Sequence, residues 1–213
     1  MPRPRFQRLS AAKRERIMEA AAREFAARGY HNASLNRILQ EASISKGAAY
    51  YYFDDKADLF ATTVAYYATD LLDAVEPPLA ALDENSFWPT VATVYEQQME
   101  HFKDRPWAFG AIKAAVRLSS EEIESEPALQ QLVMQIERRL QAILRRGQEV
   151  GAIRADLPLE LLAGLYMAVD DAIDRWLLQN WQAQEAAQLR ETAGRALQGL
   201  ARFMAPPTEG DGA

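Results

Sequence analysis

The stretch from Ser34 to Lys56, SLNRILQEASISKGAAYYYFDDK, reads as two short helices joined by a tight turn, and the rest of the chain is best understood from it. Ser34 offers a hydroxyl to the free N–H groups of a first helix, whose Leu35, Ile38, Leu39 and Ala42 fall on one face. The chain then turns through Ser43-Ile44-Ser45, with Ile44 as an inward plug and Ser45 as the cap of a second helix from Lys46 to about Tyr51. So short a turn between two helices is the geometry of a helix-turn-helix. In the second helix Lys46, Gly47, Ala48, Tyr50 and Tyr51 gather toward the N-terminal end. There, backbone N–H groups and the helix dipole favour phosphate, and small side chains let the helix enter a major groove. Phe53 closes the core beneath, Asp55 caps a third helix with Asp58 in its first turn, and Lys56 stands at that helix's start within reach of a phosphate.

Arg14 to Val64, about a quarter of the chain, resembles the N-terminal DNA-binding domain of the TetR/AcrR family of bacterial transcriptional regulators. The positions that carry the resemblance are Ile17, Ala21, Phe25, Gly29, Tyr30, Ser34, Ile38, Ala42, Ser45-Lys46-Gly47, Tyr50, Phe53, Lys56 and Leu59. Four positions depart from the family pattern: Arg37 for an acid, Leu39 for Ala, Ser43 for Gly and Ala49 for a large apolar residue. Ser43 must then accept a turn geometry that Gly takes freely, at a strain of about 1 kcal/mol. Leu39 and Ala49 offset each other in volume if their side chains meet between the two helices.

Composition and charge agree with such a reading. Hydrophobic residues make up 49% and charged residues 25%, as in a globular chain, and there is no Cys for a disulfide or thiolate. No apolar run follows the basic N-terminus, and Leu161 to Val169 is too short to span a bilayer, so neither a signal peptide nor a membrane segment is expected. A cytoplasmic location fits. The net charge of −6 is divided unevenly: residues 1–56 hold 11 Lys and Arg against 6 Asp and Glu, and residues 57–213 hold 13 against 24. A basic head on an acidic body orients a protein on a polyanion.

In chain order, Met1 to Leu9 contains Arg3, Arg5 and Arg8 and reads as an unfolded arm, either reaching a minor groove or phosphates or left as a solvated tail. A first helix runs from Ser10 or Ala11 to Arg28 and ends at Gly29. Further helices are expected from Asp55 to about Val75, stopped by Pro77-Pro78; from Ser86 to about His101; from Trp107 to Leu118; and from Pro127 to Val150, frayed by Gly147 and Gly151. Ser119 to Glu126 reads as a polar loop, Leu157 to about Trp181 and Gln182 to Met204 as a final helix pair, and Pro206 to Ala213 as a disordered tail.

The fold class expected is therefore all-α: an arm and helix-turn-helix domain over residues 1–55, a larger helical domain over 56–205 and a tail over 206–213. DNA contact falls to Ser34, Lys46, Tyr51, Tyr52 and Lys56 on phosphates and to Gly47, Ala48 and Tyr50 beside base edges, with Leu35, Asn36 and Ser45 completing the surface. With no Arg, Asn or Gln between Lys46 and Tyr52, bidentate base reading is scarce and duplex shape carries much of the specificity. The final helices would pair with a second copy through Leu161, Leu165, Val169, Ile173, Trp176, Leu189, Ala193, Leu197 and Leu200, or else pack within one chain.

The resemblance further implies a homodimer on an operator in double-stranded DNA and a ligand cavity among the central helices. Its candidate lining is Tyr67, Phe87, Tyr95, Met99, Phe102, Trp107, Phe109, Met134 and Tyr166, each of which periodicity allows equally to be core. Aromatic and Met content points to a bulky apolar effector. Asp170, Asp171 and Asp174 form an acidic cluster for a cation, or more simply for Arg175 and solvent. Two His, distant in sequence, and the absence of a Gly-rich phosphate loop leave no catalytic constellation, no metal site and no cofactor to expect. The reading is a ligand-responsive repressor, with an activator of the same fold or a helical small-molecule-binding module as alternatives.

Overall fold

The computed structural model describes residues 4–74, 79–118 and 127–207, and among these it contains helices and no strand. The helices are α1 (Pro4–Gln7), α2 (Ala11–Asn32), α3 (Leu35–Glu41), α4 (Lys46–Tyr52), α5 (Lys56–Ala74), α6 (Glu84–His101), α7 (Pro106–Val116), α8 (Pro127–Glu149), α9 (Leu159–Asn180) and α10 (Ala186–Met204), with a 3-10 turn at Leu79–Ala81. Pro77-Pro78, Ser119 to Glu126, Arg3 and most of the expected tail lie outside the described residues.

Two compact units are present: Met1–Ala74 with Phe102–Gln135, and Val75–His101 with Ile136–Ala213. The packing thus divides the chain differently from a single boundary after residue 55.

In the first unit α2, α3, α4 and α5 are each started by a side chain the sequence supplies. Ser10 Oγ accepts from the Lys13 N–H, Ser34 Oγ from Arg37, Ser45 Oγ from Ala48 and Asp55 Oδ1 from Asp58. These caps satisfy N–H groups that a helix leaves free at its start. α2 buries Ile17, Met18, Ala21 and Phe25, and its regular run stops at Gly29, whose φ of 69° is in the left-handed region. Phe25 meets Phe60 of α5 with ring centroids 4.7 Å apart. α7 opens on Pro106, buries Ala108, Phe109, Ala111, Ile112 and Ala115, and packs along α2 and α5.

The second unit holds two clusters. One joins Phe87, Leu140, Leu144, Ile153, Leu162, Leu200 and Met204; the other joins Tyr95, Ile173, Leu177, Leu189, Ala193 and Leu197. α6 starts two residues before Ser86 because Asp83 and Ser86 cap each other reciprocally, at 2.9 and 2.8 Å. That hydrogen bonding holds the Asp83 carboxyl below its ordinary pKa.

Gly147 does not fray α8. It is a point of close approach, where an added Cβ would stand 2.6 Å from Ile153 and 2.8 Å from Phe87. The helix continues to Glu149 and closes with the Ala152 and Ile153 N–H groups donating to the Gly147 carbonyl, helped by Gly151 at φ 79°.

Candidate nucleic-acid interface

The α3–α4 pair is positioned by a turn at residues 42–45 that the sequence makes strained and the structure makes explicit. Ser43 has φ 53°, the one left-handed non-glycine residue among the described residues, where the family pattern favours Gly. Its N–H donates to Gln40 O at 3.1 Å and the Ile44 N–H to Leu39 O at 3.0 Å, so the turn is closed by backbone bonds that compensate the strain. Leu39 and Ala49, the large and small departures, are both buried.

Arg37 also acquires a reason. The Glu24 carboxylate, 6% exposed, accepts from the Ser34 N–H at 2.9 Å and stands 3.6 Å from the Arg37 guanidinium. A buried acid on α2 thereby ties down the start of α3, and the positive residue on α3 offsets its charge. In the sequence Glu24 falls among the apolar positions of α2, and nothing there signals this pairing.

α4 presents its first turn and outer face to solvent. Ser45, Lys46 and Gly47 are exposed, Ala48 is half-buried, and Tyr50 and Tyr51 are 46% and 48% exposed. Nearby on α3 Asn36 is exposed, while Ser34 and Leu35 are half-buried. This is a short helix with a basic residue and small side chains at its open N-terminal end, a shape that fits a duplex groove.

Two residues expected at phosphates are placed against the protein itself. Tyr52 is 8% exposed, its ring against Phe6 and Phe53, so it belongs to the packing under α4. Lys56 turns its ammonium back on the end of α2, donating to the carbonyls of Tyr30 at 2.9 Å, His31 at 3.1 Å and Ala33 at 3.5 Å, with the Tyr30 ring 4.8 Å away. All three of its protons are engaged, as a positive group capping a helix C-terminus would be.

The arm is corrected as well. Residues 4–7 form one helical turn whose Phe6 is 3% exposed, 5.0 Å from the Phe53 ring and 6.3 Å from Tyr52. The arginines read as an unfolded arm, reaching DNA or left in solvent; Phe6, the single aromatic among them, is the signal that it docks.

The nine candidate ligand residues fall into separate groups. In the first unit Tyr67 and Trp107 meet edge to face at 5.5 Å, and Phe102 stacks on Phe109 at 5.5 Å. Met134 is half-buried. The Tyr67 hydroxyl donates to Glu15 at 3.3 Å, and burial, then that carboxylate, raise its pKa. In the second unit Phe87 is core and Tyr166 packs against the same cluster, while Met99 packs against the cluster that contains Tyr95.

The acidic trio is split. Asp171 pairs with Arg175, whereas Asp174 is 1% exposed and accepts from the Tyr95 hydroxyl at 2.8 Å. Burial, then the Asp174 charge, push the Tyr95 pKa upward.

On α9 and α10, Leu161 is 48% exposed and Leu165, Val169 and Trp176 are half-buried, whereas Ile173, Leu189, Ala193, Leu197 and Leu200 are buried in the chain's own clusters. An open apolar groove of about 510 Å³ lies there, lined by Leu165, Ala168, Val169, Ala172, Ile173 and Trp176 on α9 and Thr192, Ala193 and Ala196 on α10. Of the buried residues only Ile173 and Ala193 line it, and the sequence missed the small residues Ala168, Ala172, Thr192 and Ala196.

Among the described residues no helix is long and apolar enough to cross a membrane. Residues 17–63 match the family described as bacterial regulatory proteins, tetR family. The chain is 26% identical over 155 residues to the HTH-type transcriptional repressor AcnR of Corynebacterium diphtheriae, covering 70% of this chain and 73% of that one. It is 36% identical over 73 residues to the HTH-type transcriptional regulator BetI of Yersinia pestis, covering 34% and 37%. A TetR family transcriptional regulator of Chloroflexus aurantiacus superposes with a TM-score of 0.65 at 21% identity, covering 96% of this chain and 98% of that one. The regulator FadR of Bacillus subtilis in complex with stearoyl-CoA superposes with a TM-score of 0.68 at 19% identity, covering 87% and 96%.

Proposed function

We propose, from the premise that this chain belongs to the TetR family of bacterial regulatory proteins, that it is a homodimeric transcriptional repressor released from a palindromic operator by a small-molecule effector. The observation that carries the reading is α4 itself: seven residues, capped by Ser45, standing on a buried floor with Lys46, Gly47, Tyr50 and Tyr51 turned outward. Each copy places this helix in a major groove, with half-sites about 34–36 Å apart or a multiple of that. Gly47, Ala48 and Tyr50 lie beside base edges through shape and thymine methyl contact, while Ser34, Lys46 and Tyr51 hold phosphates.

Pairing of two copies is supported by the apolar groove on α9 and α10. A second copy laying the same two helices across it would make a four-helix contact and remove Leu161, Leu165 and Trp176 from water. That the relative AcnR is a repressor supports the sign of the effect, and that FadR was solved with stearoyl-CoA supports an effector with a large apolar part. Its site would lie within one unit, among Tyr67, Phe102, Trp107, Phe109 and Met134 of the first or among Phe87, Tyr95, Met99 and Tyr166 of the second. The protein acts in the cytoplasm and carries no catalytic step.

The test is a fluorescence anisotropy titration against the DNA upstream of its own gene, with a scrambled duplex as competitor and stearoyl-CoA as the added probe. The reading expects preference for the upstream duplex and release on adding the probe. A protein that is monomeric at micromolar concentration and prefers neither duplex overturns it. Preferential binding with transcription raised in a reporter assay would make it an activator.

A further inference from the structure

We propose that Phe6 is a positioning residue that holds Arg5 against Tyr51, making the two a phosphate-gripping pair at the flank of α4; the proposal rests on the DNA-binding reading above. α4 carries a single cation, Lys46, so charge brought by another element weighs heavily in what this head can do to a polyanion. The arm brings such charge in a fixed place. Arg5 has its guanidinium carbon 4.2 Å from the centroid of the Tyr51 ring, and both side chains are exposed. Among the described residues no carboxylate pairs with Arg5. A guanidinium laid on a ring keeps its N–H edges directed outward, and those edges match the two oxygens of a phosphate.

The arm is held there by packing as well as charge. Phe6 is buried to 3% against Phe53 and Tyr52, the Leu9 N–H donates to Phe6 O at 3.1 Å, and the Arg14 guanidinium donates to Gln7 O at 3.4 Å. Lys13 adds a second cation over the same aromatic cluster, 5.9 Å from the Tyr52 ring. Phe6 and Arg5 are neighbours in sequence, so seating one in the floor of α4 sets the other on its flank. A side chain fixed before binding loses less freedom when it meets its phosphate.

The full-length protein is titrated with its upstream duplex and with a mixed-sequence duplex over a range of salt, as wild type, Arg5→Ala, Phe6→Ala and Phe6→Leu. Arg5→Ala is expected to weaken both duplexes about 5- to 10-fold at low salt and to lower the slope of log K against log salt by about one per subunit. Its melting temperature should stay with the wild type. Phe6→Ala is expected to lower the slope by the same amount although it removes no charge, and Phe6→Leu to restore it. A wild-type slope in Phe6→Ala, or unchanged affinity and slope in Arg5→Ala, overturns the proposal while leaving the regulator reading intact. If Phe6→Ala does not fold, the milder Phe6→Val takes its place, with the same lowered slope expected and a wild-type slope overturning the proposal. A wild type that binds neither duplex overturns both.

Discussion

The outer face of α4 and the groove on α9 and α10 are both open to solvent, yet one is basic and aromatic on a helix of seven residues and the other is apolar on helices of 22 and 19 residues. A seven-residue helix is too short to persist by itself. α4 therefore depends on its Ser45 cap, on the turn at Ser43 and on the buried floor of Leu39, Ala49, Tyr52 and Phe53. The C-terminal pair is held by its own apolar stripes and still has apolar surface left over. The proposed contact with DNA falls on the first surface and the proposed pairing of two copies on the second.

The comparison can be broken most severely at the floor of α4. Leu39→Ala is expected to cost about 2–4 kcal/mol in chemical denaturation of the protein, by leaving a cavity between α3 and α4. Adding Ala49→Leu should recover much of that loss, and strictly additive losses in the double-mutant cycle would show that the two side chains do not share a space. On the other surface, Ala172→Glu should raise the dimer dissociation constant by about 100-fold, close to 2.7 kcal/mol, in sedimentation equilibrium. The melting of α9 and α10 in the monomer should change little, because Ala172 is exposed within one chain.

Smaller effects sharpen the account. Lys56→Ala should lower stability by about 1 kcal/mol, since three carbonyls near the end of α2 lose a charged donor that is itself half-exposed. The salt slope of DNA binding should stay within about 0.3 of wild type. A slope lowered by a full contact per subunit would return that lysine to the phosphates. Ser43→Gly should stabilise by about 0.5–1 kcal/mol, read as a raised melting temperature, by removing the left-handed strain at φ 53°.

Much of the head was legible because its signals are local. Ser34, Ser45 and Asp55 cap helices one turn away, Gly29 and Ser43 mark left-handed points, and Pro106 opens α7. Each is a contact within a few residues, so spacing suffices to see it. What stayed hidden joins residues far apart. Lys56 reaches carbonyls 23 to 26 residues earlier, Tyr95 donates to Asp174 across 79, and Trp88 to the Ala152 carbonyl across 64. Gly147 reads as a helix breaker until Phe87 and Ile153 are seen against it.

The sequence by itself determined that the fold class is all-α, that a short capped helix follows a tight turn, and that charge separates a basic beginning from an acidic remainder, because periodicity, capping and charge are properties of neighbouring residues. Tertiary structure decided which polar groups stay available. Tyr52 and Lys56 are taken into packing and a helix end, Arg5 is held outward by its buried neighbour Phe6, and the apolar stripe of the last helices divides into floor and open groove. The reason is that a side chain's availability depends on what lies opposite it, and the order of residues along the chain does not contain that.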